Sequence, residues 1–199
     1  MPIMTKIDDA ALRQLFMDAR TQNKWRPKDV SDAQLREIVD IMKMGPTSMN
    51  TQPMRIIFVR SQAAKERLKP LLTPGNQEKT MAAPVCAILG NDMKFYEHLP
   101  KVFPHKPDAK AMYEGKEGMI QGTAFRNGTL QGAYFMIAAR AIGLDVGAMS
   151  GVNLDGVDKE FWAGTSVKTN FLCSIGYGDP AGVMQRLPRF TFDEIAKVV

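Results

Sequence analysis

A chain of 199 residues, 45% hydrophobic and 24% charged, sits close to the average for globular proteins and can bury one substantial core, so a single domain over residues 1–199 is expected. The net charge of +5 is scattered, with no basic stripe interleaved with stacking aromatics, and this excludes a nucleic-acid binder. The start, Met1-Pro2-Ile3-Met4-Thr5-Lys6, lacks the basic and apolar regions of a signal peptide; the longest apolar region, residues 130–144, holds Gln131 and Arg140 and is too short to span a membrane, so a cytoplasmic protein without membrane association is expected.

In chain order, Ser31 is a plausible N-cap for a helix in which Leu35, Ile38, Val39, Ile41 and Met42 recur at helical spacing, and Gly45-Pro46 stops it. The next element is a short β-branched run, residues 56–59, that reads as a buried strand. Further strands are expected at 85–89, 146–148 and 171–176, and one long helix at 117–142 despite Gly118, Gly122, Gly128 and Gly132. Each glycine costs about 1 kcal/mol in a helix interior, a cost that suits a helix closely approached by another helix or a ligand. Residues 100–107, rich in proline, read as an exposed excursion able to cover a site. The alternation of helices and strands indicates an α/β sandwich around a central mixed sheet. No G-x-G-x-x-G follows a first strand, so the chain does not read as a Rossmann fold.

Cys86 and Cys173 each lie in an apolar strand-like run and read as buried thiols. With no CxxC and only His98 and His105 as nitrogen ligands, neither a metal site nor a redox dithiol is expected.

The stretch Met44-Gly45-Pro46-Thr47-Ser48-Met49-Asn50-Thr51-Gln52-Pro53 sets hydroxyl and amide side chains between prolines where a helix gives way to a strand. Such groups can hydrogen-bond a planar heterocycle or a ribityl chain, and they are equally the residues of an ordinary capped turn. Residues 46–53 resemble the P-[ST]-S-x-N-x-Q-P segment of the nitroreductase family of FMN-dependent oxidoreductases. Four more stretches resemble that family in order and spacing: Arg20-Thr21-Gln22 its Arg-x-Ser element, Asn76-Gln77-Glu78-Lys79 its N-x-x-K element, residues 144–151 its G-L-[DG]-x-x-P-[IM]-x-G pattern, and Gln185-Arg186-Leu187-Pro188-Arg189 its basic phosphate segment. Gln22 replaces the usual Ser, Ala148 the usual Pro, Ser150 a frequent Glu, and Met184 a first Lys or Arg.

The resemblance implies an α+β nitroreductase-like fold, its sheet mixed but mainly antiparallel and flanked by helices, with a C-terminal extension from about Phe190 that embraces a partner subunit. It implies FMN as cofactor, NADH or NADPH as reductant, and a homodimer with flavin between the subunits. The cofactor-binding residues it implies are Arg20, Thr21, Gln22, Pro46, Thr47, Ser48, Asn50, Asn76, Lys79, Ala148, Met149, Ser150, Gly151 and Arg186. The implied reaction is hydride transfer through flavin N5, which asks little of side chains, and aldehyde reduction further asks for a group to polarise the carbonyl, whose identity the sequence leaves unassigned.

Within the family, residues 18–21, 43–48, 124–127 and 175–179 look closest to the malonic semialdehyde reductases of pyrimidine (uracil) utilisation, which form 3-hydroxypropionate. Arg126 and Asn127 are candidates for the substrate pocket, with Arg55 and the basic residues of 101–106 as further cations. The alternatives are a broad nitroaromatic or quinone reductase, and a flavin-binding protein without turnover.

Overall fold

The computed structural model describes residues 5–199; residues 1–4, part of the leader reading, lie outside the described residues. A short helix α1 (Asp9–Leu12) runs into a π-helical turn at Arg13–Met17. Helix α2 (Asp32–Met42) begins as its sequence demands. The Gln34 N–H donates to Ser31 Oγ at 3.2 Å, and the Ser31 N–H donates back to Gln34 Oε1 at 3.1 Å, a reciprocal capping box. Its buried face is Leu35, Ile38 and Met42, while Ile41 stays exposed.

Strand β1 (Met54–Val59) follows, then α3 (Gln62–Leu68), α4 (Pro74–Ala82), β2 (Val85–Asp92) and the single turn α5 (Leu99–Val102). The 25-residue α6 (Glu117–Ala141) leads to β3 (Asp145–Met149), α7 (Leu154–Phe161), β4 (Val167–Gly176) and a last turn, α8 (Phe192–Ile195). Among the described residues no helix is long and apolar enough to cross a membrane.

The four strands form one sheet in the order β1-β2-β4-β3, every neighbour antiparallel. The parallel component is a single bridge, Thr21 to Val146, which lays the N-terminal arm beside β3. Strand β2 is buried along its whole length, and its side chains alternate between faces. Val85, Ala87 and Leu89 meet α2 and α6 in one core; Cys86 and Ile88 meet Leu68 of α3 and Val157 of α7 in the other. The sheet is thus a middle layer between helices, as the sandwich reading expects.

One expectation needs correction. Strand β1 is an edge strand, so Ile56, Ile57 and Phe58 are only half-buried. Residues 100–107 are exposed apart from half-buried Val102 and Phe103, as expected, and the short helical turns around them are anchored by Phe95, Leu99, Ala109 and Tyr113, which form a third core with Ile120 and Ala124 of α6.

Helix α6 divides its glycines between two duties. A Cβ on Gly128 would stand 1.8 Å from Asn91 Oδ1, and one on Gly132 would stand 2.6 Å from the Phe171 ring, so both let the sheet approach. Gly118 and Gly122 have nothing within 4 Å of such an atom. They lie beside exposed Met119 and Phe125, on a part of the helix that the described residues do not cover.

Candidate functional site

The N-terminal arm and the C-terminal segment meet beside the end of α6. Arg20 donates to the Met184 carbonyl, and Arg186 Nη2 donates to the Met17 carbonyl at 2.6 Å and to that of Ala19 at 3.2 Å. Arg20, Arg140, Arg186 and Arg189 line a cavity of about 460 Å³ there, with Thr21 and Asn23 and no carboxylate in its wall. Four guanidinium groups without an acid between them make an anion site suited to a phosphate's oxygens. Arg140 is the member that sequence reasoning missed. Burial holds its guanidinium below its ordinary range, the Arg186 charge adds to that push, and Cys173 and Asp145 oppose it. Its one visible signal was a cation interrupting the apolar run of α6 near its end.

Gln22, at the position of the usual serine, is buried. Its N–H donates to the Val146 carbonyl at 3.0 Å, its Nε2 lies 3.4 Å from Asp145 Oδ1, and its Oε1 is buried without a partner. Thr21 is exposed.

Helix α4 brings the third element to the same edge. Asn76 Nδ2 donates to the Gly151 carbonyl at 2.9 Å, and Thr73 Oγ1 to the same oxygen at 3.0 Å. A Cβ on Gly151 would fall 2.6 Å from that Asn76 nitrogen, so only glycine admits this contact. One turn on, Lys79 Nζ lies 3.4 Å from Asn23 Oδ1, and Thr80 Oγ1 donates to Met149 Sδ at 3.3 Å. Ala148 and Ser150 are exposed, while Met149 is buried between them, the alternation of an edge strand. Arg20, Asn76, Lys79, Ala148, Ser150, Gly151 and Arg186 therefore lie along one side of the molecule, with Gln22 and Met149 buried beneath them.

The 46–53 loop is elsewhere. Its Pro46 carbonyl accepts from Tyr134 Oη at 3.1 Å, and the Ser48 N–H donates to Asn127 Oδ1 at 2.8 Å. Asn50 Nδ2 donates to the Val102 carbonyl at 2.7 Å and its Oδ1 accepts from Gln52 Nε2 at 2.8 Å. Thr47 Oγ1 accepts from the Gln52 N–H at 3.2 Å. Thr51 Oγ1 is buried with no partner. Along α6, Asn127 and Arg140 are thirteen residues apart, about 20 Å at 1.5 Å per residue. The loop is thus anchored along α6 from Asn127 to Tyr134, and the arginine cavity begins six residues beyond, at Arg140.

Asn127 does not face a substrate pocket. It is 1% exposed, its oxygen holds the Ser48 N–H, and its Nδ2 donates to the Thr123 carbonyl at 2.9 Å. Arg126 is exposed. Arg55 is committed to an ion pair with Asp92 at 2.7 Å. Cys86 and Cys173 are free, buried thiols. Burial pushes Cys86 up to about 12 against the Ser174 hydrogen bond and the Lys65 charge, and pushes Cys173 higher still, with Cys86 adding to it. Neither offers a thiolate near neutral pH.

The model of the Nitroreductase family matches residues 17–178. The chain belongs to the nitroreductase family, and it is an oxidoreductase. A relative from Burkholderia lata, named as an NADH dehydrogenase/NAD(P)H nitroreductase, is 55% identical over 195 residues, covering 98% of this chain and all of that one. Two solved structures share the fold. The nitroreductase ydfN of Bacillus subtilis has a TM-score of 0.87 at 19% identity, covering 96% of this chain and all of that one. A nitroreductase of Exiguobacterium sibiricum, solved in complex with FMN, has a TM-score of 0.85 at 20% identity, covering 98% and 99%.

Proposed function

We propose that this nitroreductase-family chain is an FMN-dependent NAD(P)H oxidoreductase that acts as a homodimer, with malonic semialdehyde as substrate and 3-hydroxypropionate as product in pyrimidine degradation. The observation that carries the cofactor reading is the cavity of four arginines with no carboxylate in its wall. The buried, unpartnered Gln22 Oε1 and Thr51 Oγ1 add an acceptor and a hydroxyl still to be satisfied. A phosphorylated, polyhydroxylated chain ending in a hydrogen-bonding heterocycle matches these groups.

FMN, when bound, supplies two-electron transfer between NAD(P)H and the substrate. The chain supplies the rest. Arg20 and Arg186, with Arg140 and Arg189, hold the phosphate; Asn76 and Thr73 fix the backbone at Gly151; Lys79 adds a positive charge on the same side. Thr47, Ser48 and Asn50, braced from α6, present the second set of contacts.

The separation of these two sets supports the dimer reading. The loop is anchored on α6 at Asn127 and Tyr134, about 20 Å and about 9 Å along the helix from Arg140, and one flavin engaging both sets is better served by the loop of one subunit and the arginines of another. Exposed Met119, Phe125, Phe16 and Met44 supply apolar surface for such a partner, and Phe190, Phe192 and Ile195 supply it along the tail. These support a C-terminal extension from about Phe190 reaching the second subunit.

The aldehyde reading rests on the likeness of residues 43–48 and 124–127 to the semialdehyde reductases, with Arg126 as the exposed cation available to a carboxylate. Broad nitroaromatic or quinone reduction is the second reading, favoured by the name of the Burkholderia relative. Titrating purified protein with FMN and following flavin fluorescence tests the cofactor. Saturable quenching at one FMN per subunit supports it; no quenching leaves a protein without the cofactor.

A further inference from the structure

Met49, Asn50 and Gln52 have φ values of 50°, 50° and 41°. Non-glycine residues seldom enter this left-handed region, and they persist there only where the surroundings over-determine them. Three within four positions need an external hold, and the carbonyls that follow show where it comes from. Arg55 Nη1 donates to the Gln52 carbonyl at 3.1 Å and to that of Met54 at 2.9 Å. Between them, the Asp92 N–H donates to the Pro53 carbonyl at 2.8 Å.

The guanidinium is fixed in turn, since Arg55 Nη2 donates to Asp92 Oδ2 at 2.7 Å. Asp92 is 5% exposed and is the meeting point of three separate segments. Ser166 Oγ donates to its Oδ1 at 2.6 Å, the Lys94 N–H to the same oxygen at 2.9 Å, and His98 Nε2 stands 3.4 Å from Oδ2. One buried carboxylate thus holds one arm of a planar fork, Nη2, and the other arm, Nη1, bridges two carbonyls at the exit of the strained segment. A lysine, with a single point of charge, has no equivalent.

We propose that the Arg55–Asp92 pair is a positioning device that holds Met49, Asn50 and Gln52 in the left-handed conformations that receive the flavin. It rests on the FMN reading above. Neither residue touches the cofactor; both act through the backbone of the loop.

The test compares wild-type protein with Arg55→Met, Arg55→Lys and Asp92→Asn. Each is titrated with FMN by fluorescence, alongside the circular dichroism of bound flavin and the thermal midpoint without FMN. The FMN Kd rises about tenfold in Arg55→Met and Asp92→Asn, the flavin dichroism changes, and Arg55→Lys falls between these and wild type. A lower thermal midpoint with unchanged Kd and unchanged flavin dichroism reduces the pair to a structural brace and overturns the proposal. If Arg55→Met does not fold, Arg55→Lys and Asp92→Asn decide the same question. Wild-type protein that takes up no FMN overturns the cofactor reading and this proposal with it; wild-type binding with indifferent variants overturns this one alone.

Discussion

Asn127 Oδ1 accepts from the Ser48 backbone N–H at 2.8 Å, joining positions 79 residues apart in the chain. A buried amide at mid-helix thereby holds the start of the polar loop. Asn127→Ala leaves that N–H unpaired, at a cost of about 1–3 kcal/mol. For a chain of this size the thermal midpoint falls roughly 2–4 °C per kcal/mol. Differential scanning calorimetry checks it, and an unchanged midpoint shows the loop to be held by other means.

The arginine cavity predicts a salt-sensitive cofactor affinity. Arg20→Ala and Arg140→Met each weaken FMN binding, and the double variant loses more of the salt dependence than either alone, because opposite charges at a partly exposed site are screened by added salt. Riboflavin, which lacks the phosphate, is the control: its affinity is indifferent to both substitutions. FMN titrations at two salt concentrations read this out, and equal losses for riboflavin and FMN move the phosphate elsewhere.

Deleting residues 190–199 removes exposed Phe190, Phe192 and Ile195. Since each is about 60–75% exposed within one chain, the truncated subunit keeps its own core and loses association. Sedimentation velocity is expected to show a dimer for the full chain and a shift toward monomer after truncation. An unchanged dimer would place the interface on α6 alone.

Asp92 sets a pH dependence. Burial pushes its carboxyl up, but the Ser166 hydroxyl, the Lys94 N–H, Arg55 and His98 together outweigh burial and leave it below the ordinary 3.8. A depressed carboxyl favours the folded state at pH above that value, and the advantage fades as pH falls through its folded pKa. The denaturant midpoint of wild type therefore exceeds that of Asp92→Asn near neutral pH, and the gap closes below about 3.8. A gap constant down to strongly acid solution would contradict the assignment.

What the sequence disclosed was local. The Ser31–Gln34 capping box, the Leu35, Ile38 and Met42 stripe and the span of α6 each depend on residues within a turn or two of one another, so their periodicity and caps reveal them. The motifs at Arg20, Asn76, Gly151 and Arg186 were legible as well, and the fold brings them to one side of the molecule. The rest depended on packing between distant segments. Nothing near Arg140 announces that the N-terminal arm and the C-terminal segment will converge on it. Asn127 resembled a pocket residue until the Ser48 N–H claimed its oxygen. The half-buried state of Ile56 and Phe58 follows from β1 lying at the sheet edge, a matter of strand order that a β-branched run cannot encode.

The central claim is reduction of malonic semialdehyde through bound FMN. The most direct measurement reduces FMN-loaded protein anaerobically with NADH or NADPH, mixes it with the semialdehyde in a stopped-flow instrument and follows the return of the oxidised flavin absorbance. Reoxidation by the semialdehyde well above that by a nitroaromatic is the predicted result. Reoxidation by nitroaromatics or quinones alone would contradict it and leave a general nitroreductase.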